Sequence, residues 1–243
     1  MHWKRLMLAA ALVAGAAEGA AAQAWANTAP RDVRDIFLAL PVDDVDDRPQ
    51  LRESVGDRLS TRAGRVEALR EGAEIDPVNY WIRTSLPALD GDASPVEVIL
   101  SSYRRPTGRY LVVLQVNDRT AAGPRSVNYA WEMEGSTFRR ADIREYLPDL
   151  EYADFWEGPR PRGVEKDFFL ELGAFHLQLP RYGERAAFHL VPAPAAPELA
   201  ALFQRPARSG VELLWDRRRG VFVRGDYLGS VASGERGGHH HHD

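Results

Sequence analysis

The 243-residue sequence contains no cysteine. That excludes disulfides, a catalytic thiol, thiolate metal sites and an acylated N-terminal Cys, and leaves packing alone to hold the fold. Lysine is nearly as scarce, since of 31 basic side chains only Lys4 and Lys166 are lysine. A lysine-dependent mechanism in the processed chain would therefore have to use Lys166. An excess of positive charge is missing too: the formal net charge is −4, and no nucleic-acid partner is expected. With 44% hydrophobic and 27% charged residues, the composition is that of a folded globular chain rather than a disordered or collagen-like one.

Long apolar runs are absent beyond the N-terminus. Residues 1–24 have a secretory layout, with Lys4 and Arg5, an apolar run over 6–17 and small residues ending in Ala22-Gln23-Ala24. Glu18 interrupts a run already shorter than the roughly 20 residues a bilayer requires. Cleavage after Ala24 is expected, giving a chain that starts at Trp25 and is soluble in the periplasm or outside the cell, without a lipid anchor or a membrane span. This reading divides the sequence into a signal segment (1–24), helices with a first β unit (25–156), a linker (157–163), a second β unit (164–228) and a flexible His-ending tail (229–243).

In residues 32–40 the spacing of Val33, Ile36, Phe37 and Leu40 predicts a helix stopped by Pro41. A second helix is expected over 49–55, while 56–73 shows no periodicity. From Asn79 onward the pattern changes to short strands separated by Gly and Pro turns. Residues 96–100 and 110–116 flank Pro106-Thr107-Gly108, a three-residue hairpin loop with Gly108 left-handed; it pairs Arg105 with Arg109, Val98 with Val116 and Leu100 with Leu114. A second hairpin spans 127–140, turning at Glu134-Gly135, and a helix follows over 141–147. Glu157-Gly158-Pro159-Arg160-Pro161-Arg162-Gly163 can sustain neither helix nor ladder and reads as a linker. Strands are then expected over 168–179 and 186–191, a helix over 197–204, and a hairpin over 211–224 turning at 217–220.

Residues 127–143 and 211–227 share Val127/Val211, Trp131/Trp215, Phe138/Phe222, Arg140/Arg224 and Asp142/Asp226, the pattern of a diverged internal duplication. Two amphipathic hairpins converging on Trp and Phe would produce the same identities. On either reading the aromatic residues are core anchors rather than a ligand cage.

Asp35-Ile36-Phe37-Leu38-Ala39-Leu40-Pro41 soon after the leader, the Trp131 strand, and Leu147-Pro148 followed by Asp154-Phe155 resemble a family of small exported proteins of unknown function, best represented in Bacteroidetes-type bacteria. The resemblance spans roughly residues 32–156. It implies export but assigns no catalytic residues, and this sequence departs from the pattern in lacking cysteines in the middle strands.

Motifs for familiar chemistry are absent. Gly229-Ser230-Val231-Ala232-Ser233 lacks the last glycine of a nucleophile elbow, and no Ser-x-x-Lys, His-Glu-x-x-His, phosphate loop or dinucleotide fingerprint occurs. Glu132 with Glu134, or Glu151 with Asp154, could supply an acid and a base, though solvated surface acids are the simpler reading. Asp43-Asp44-Val45-Asp46-Asp47 and Asp90-Gly91-Asp92 do not follow a calcium loop. His239, His240, His241 and His242 form a weak, promiscuous metal-binding tail. A tight turn at Tyr182-Gly183 would set His176 directly across from His189, close enough for the rings to share a proton or a metal ion. The fold class expected is α+β: N-terminal helices packed on antiparallel sheet, with two related β-meander units. The function expected is a non-catalytic binding or inhibitor-like module that needs no cofactor and meets an unknown protein or envelope ligand. The alternative is a hydrolase with an unrecognised carboxylate or histidine site.

Overall fold

The computed structural model describes residues 32–42, 55, 58–89, 94–120, 123–162, 175–180, 185–190 and 207–230. The leader, the acidic loop at 43–47, the helices expected over 49–55 (Val55 apart) and 197–204, Asp90-Gly91-Asp92, Lys166 and the histidine tail lie outside them.

Helix α1 (Val33–Ala39) starts where Asp32 accepts the backbone N–H of Arg34 and Asp35, with Asp35 reciprocating to the Asp32 N–H. This capping box fixes the N-terminus, and Val33, Ile36 and Phe37 form the buried stripe. Helix α2 (Arg62–Arg70), capped by Thr61, falls in the stretch without periodicity. Its inward residues are Ala68 and Arg65, so the buried face carries a cation where an apolar residue would signal a helix. Arg65 donates to the carbonyls of Leu59 at 2.7 Å and Leu38 at 3.0 Å, tying α2 to the last turn of α1.

Ten strands follow: β1 (Glu74–Asp76), β2 (Trp81–Leu86), β3 (Val96–Arg104), β4 (Tyr110–Thr120), β5 (Gly123–Glu134), β6 (Thr137–Ala141), β7 (Phe175–Gln178), β8 (Arg185–Leu190), β9 (Arg208–Asp216) and β10 (Val221–Ser230). β1 to β6 form one antiparallel meander in chain order, and β7 to β10 form a second. The fold is therefore α+β, with two short helices and two meander units among the described residues.

The register of β3 with β4 sets Val98 opposite Val116 and Leu100 opposite Leu114, with the Arg105 N–H donating to the Arg109 carbonyl at 2.8 Å. Gly108 has φ of 72° and Thr107 of 63°, so two successive left-handed residues close the loop. The helix expected over 141–147 is a single 3-10 turn, Ile143–Tyr146. Pro148 forces Leu147 into extended backbone and stops the helix after that turn.

Two cores result. Val98, Leu100, Val112, Leu114, Tyr129 and Trp131 on one face of the six-stranded sheet pack with α1 and α2. Ile99, Tyr103, Leu111, Val113 and Ala130 on the other face pack with Leu177, Phe188, Val211, Leu213 and Trp215 of the four-stranded sheet. The central strands are thus buried on both sides, and the layers run helices, six-stranded sheet, four-stranded sheet.

The identities between the two hairpins do not extend to equivalent pairing. β5 and β6 join through two residues, which sets Trp131 opposite Arg140. β9 and β10 join through four, which sets Trp215 opposite Phe222. Turn length fixes register, and Trp131 belongs to the helix-side core while Trp215 belongs to the inter-sheet core. The shared Trp and Phe therefore take different registers and serve different cores in the two hairpins.

The two tryptophans also differ in their indole N–H. That of Trp215 donates to the Arg104 carbonyl at 2.7 Å, whereas that of Trp131 is buried with no hydrogen-bond partner among the described residues. Either residue changed to Ala should lose about 3–5 kcal/mol. Changed to Phe, Trp215 should lose about 1–2 kcal/mol more than Trp131, because only Trp215→Phe orphans an acceptor. Urea unfolding of both Phe variants checks this, and equal losses would contradict the assigned role of the indole.

Candidate functional site

His176 and His189 are direct partners in the β7–β8 ladder, as Phe175 is with Leu190 and Leu177 with Phe188. Alternation places Leu177 and Phe188 in the inter-sheet core and the two imidazoles together on the other face of the ribbon. Both rings are half-buried, and Nε2 of His189 is fully enclosed without a hydrogen-bond partner among the described residues. Burial holds both pKa values below the ordinary histidine value; for His176 the neighbouring His189 adds to this and the Glu97 carboxylate opposes it. Both rings are therefore neutral at neutral pH.

Glu97 belongs to a polar chain on the inner face of β3, β4 and β5. Asn117 Nδ2 donates to Glu97 Oε1 at 3.0 Å and to Gln115 Oε1 at 3.1 Å, and Ser126 Oγ donates to Asn117 Oδ1 at 2.7 Å. Gln115, fully buried, donates to Asn128 Oδ1 at 2.8 Å and to the Leu177 carbonyl. Arg83 holds the other oxygen of Glu97 at 2.7 Å. Sequence reading missed this chain. Its signal was polar residues at alternate positions, Gln115 and Asn117 on β4 and Ser126 and Asn128 on β5, within strands whose other face is apolar.

Glu132, Glu134 and Asp154 are each engaged. Glu132 accepts from Arg105 at 2.7 Å, from Arg139 and from the Tyr146 hydroxyl. Burial alone would raise its pKa, but the bonds from Tyr146 and Arg139 and the charge of Arg105 outweigh burial and hold the carboxyl below the usual range. Tyr146 is correspondingly pushed up to about 12, first by burial and then by that bond. Glu134 is exposed and pairs with Arg109 at 3.2 Å. Asp154 is buried and receives both guanidinium nitrogens of Arg224, at 2.5 and 2.8 Å, plus the Tyr227 hydroxyl at 2.8 Å. It also accepts the Glu151 N–H, and so acts as a clamp between residues 149–156 and β10.

A cavity of about 140 Å³ opens at the edge of β3. β2 begins opposite Ser101, so residues 102–104 of β3 run past it. Residues 78–80 partly cover this stretch, through a bond from the Ser102 N–H to the Tyr80 carbonyl at 3.1 Å. Tyr80, Ser102, Arg104, Tyr110, Trp215 and Arg217 line the space, and among the described residues no carboxylate or histidine lines it. Tyr80 has a left-handed φ of 52°, and its ring lies 5.6 Å from that of Tyr110. The hydroxyl of Ser102 is buried without a hydrogen-bond partner among the described residues.

No protein-family model matches the chain, and no curated protein matches it. Among solved structures, a domain of an uncharacterized protein from Porphyromonas gingivalis W83 is similar at 15% identity, covering 79% of this chain and 96% of that chain, with a TM-score of 0.39. A likeness of that size carries nothing over to this protein. Among the described residues, no group of three or more His, Asp or Glu could hold a metal ion, and no helix is long and apolar enough to cross a membrane.

The histidine pair has a pH signature. Each folded-state pKa lies below the unfolded value of 6.5, so between the two values the unfolded chain binds more protons. Stability is then fully present above pH 6.5 and declines as pH falls through that value toward the folded pKa. Urea midpoints measured from pH 7.5 to pH 5 should fall for wild type and fall less for His176→Asn and His189→Asn. An unchanged slope in both variants would exclude the pair as the cause.

Proposed function

We propose that the chain is an exported, non-catalytic binding module that recognises an envelope or extracellular ligand. The observation that carries this reading is the cavity at the edge of β3, with tyrosines and arginines in its lining and, among the described residues, no carboxylate or histidine there. Hydrolysis needs an acid and a base poised at the reacting bond. Tyr80, one of the lining tyrosines, has its pKa raised by burial and by Tyr110, which suits a contact surface and not a base. The carboxylates that sequence reading offered for catalysis serve as anchors: Glu132 for two arginines and a tyrosine, Asp154 for Arg224.

Export rests on the secretory layout of residues 1–24 and on the resemblance to small exported proteins of unknown function. Intact mass of the chain recovered from a periplasmic or culture fraction should correspond to a start at Trp25 without lipid. A mass retaining residues 1–24 in a membrane pellet would overturn export.

The purified mature chain, offered a panel of defined acidic oligosaccharides and peptides together with chromogenic ester and glycoside substrates, should bind at least one class and turn over none. Turnover abolished by Glu132→Gln or by His189→Asn would establish the hydrolase alternative instead.

A further inference from the structure

β3 outruns its neighbour. β2 begins at Trp81, opposite Ser101, while β3 continues to Arg104. In a strand the N–H and C=O of one residue point to the same edge, and every second residue faces that edge. The Ser102 N–H donates to the Tyr80 carbonyl at 3.1 Å, and the Arg104 carbonyl accepts the Trp215 indole N–H at 2.7 Å, so both residues face the edge that β2 leaves uncovered. Their remaining main-chain groups, the Ser102 C=O and the Arg104 N–H, make no hydrogen bond among the described residues. A C=O and an N–H spaced in this way are the two groups that one residue of an added parallel strand engages.

The space beside them has the size of a side chain. An apolar cavity of about 150 Å³ accepts a benzene molecule, and this one is about 140 Å³, with Tyr80, Tyr110 and Trp215 in its lining. Val78, also in the lining, is 83% exposed, more than any other large apolar side chain among the described residues. A chain docked here would withdraw it from water.

Charge does not select the occupant. Arg104 and Arg217 border the space, but Arg217 is already engaged, Asp76 holds Asn79 through its N–H at 3.2 Å and its Nδ2 at 2.8 Å, and the Asp32 carboxylate acts on Tyr80. With both signs present, recognition falls to main-chain hydrogen bonds and apolar contact, which are the two elements of β-strand addition.

We propose that the uncovered edge of β3 receives an extended, uncharged segment of a protein partner, which bonds to the Ser102 C=O and the Arg104 N–H and places an apolar side chain the size of a phenyl ring in the cavity. The proposal rests on the binding-module reading and gives it a site and a class of partner.

The probe is a capped neutral peptide, acetyl-Thr-Val-Phe-Val-Thr-amide, titrated calorimetrically into the mature chain. Saturable binding at concentrations up to about 5 mM is expected. It should weaken about tenfold when Gly replaces Phe in the peptide, and about tenfold in Arg104→Pro, which removes the donor N–H at an edge position where proline is tolerated. Arg104→Gln keeps that N–H and should bind as wild type does. An unchanged urea midpoint verifies the fold of the Pro variant. Hydrogen exchange of the Arg104 amide needs no substitution, and saturating peptide should slow it about tenfold. Five results would each overturn the proposal: no binding of the Phe peptide, equal binding of the Gly peptide or of benzyl alcohol, full binding in a folded Arg104→Pro variant, an equal loss in Arg104→Gln, or an Arg104 amide whose exchange the peptide does not slow. If the wider panel yields a ligand that leaves this amide unprotected, the binding-module reading stands and this site falls.

Discussion

A sheet with two apolar faces cannot be left half-covered, and the rest of this structure depends on that constraint. β3, β4 and β5 send alternate side chains into two separate cores. At roughly 25 cal/mol per Å² of apolar surface, either face left in water would forfeit a large part of the folding free energy. The N-terminal helices cover one face and the second meander covers the other. With no cysteine available, the cover is held by rings: Tyr103 contacts both Trp215 and Phe222 with centroids 5.1 and 4.9 Å away, and Phe155 and Trp156 contact Phe175 at 4.6 and 5.4 Å.

Polar groups within this layered structure are placed where apolar contact alone would leave register or orientation open. Gln115 is the clearest case, because its amide reaches from the middle of β4 to the Leu177 carbonyl on β7 and satisfies an acceptor at the end of the second sheet. Trp215 acts in the opposite direction, its indole reaching from β9 to the carbonyl of Arg104 where β3 has outrun β2. Each sheet thus has backbone satisfied by a side chain of the other. Hydrogen bonds of this kind contribute little net stability but make misplacement costly.

What was legible in the sequence was local. The register of β3 with β4, the opposition of His176 and His189 and the extent of α1 all come from alternation, turn residues or capping, which are set by neighbours in the chain. The rest was set at a distance. α2 could not be read because Arg65 occupies its buried face, and the reason lies in the carbonyls of Leu38 and Leu59. Nor could sequence show that Trp131 and Trp215 serve different cores, since both sit in amphipathic hairpins and only the stacking of sheets separates them. The candidate cavity was invisible for the same reason. It joins residues 78–80, 102–104, 110, 215 and 217, which no spacing rule relates, and its arginines were indistinguishable from the arginines scattered along the chain.

The outer edge of β10 bears on how copies of this protein behave toward one another. β10 is the last strand of its sheet, and a flat run of that length would invite a second chain to extend the sheet. The run is broken in two places. Between Arg224 and Tyr227 an extra residue enters the strand, so that Gly225 and Asp226 together oppose Glu212. At the same point Arg224 and Tyr227 are drawn onto Asp154, and the segment carrying that carboxylate lies against the strand. What is left to an incoming strand is two short stretches out of line with each other, which disfavours extension of the sheet at this edge.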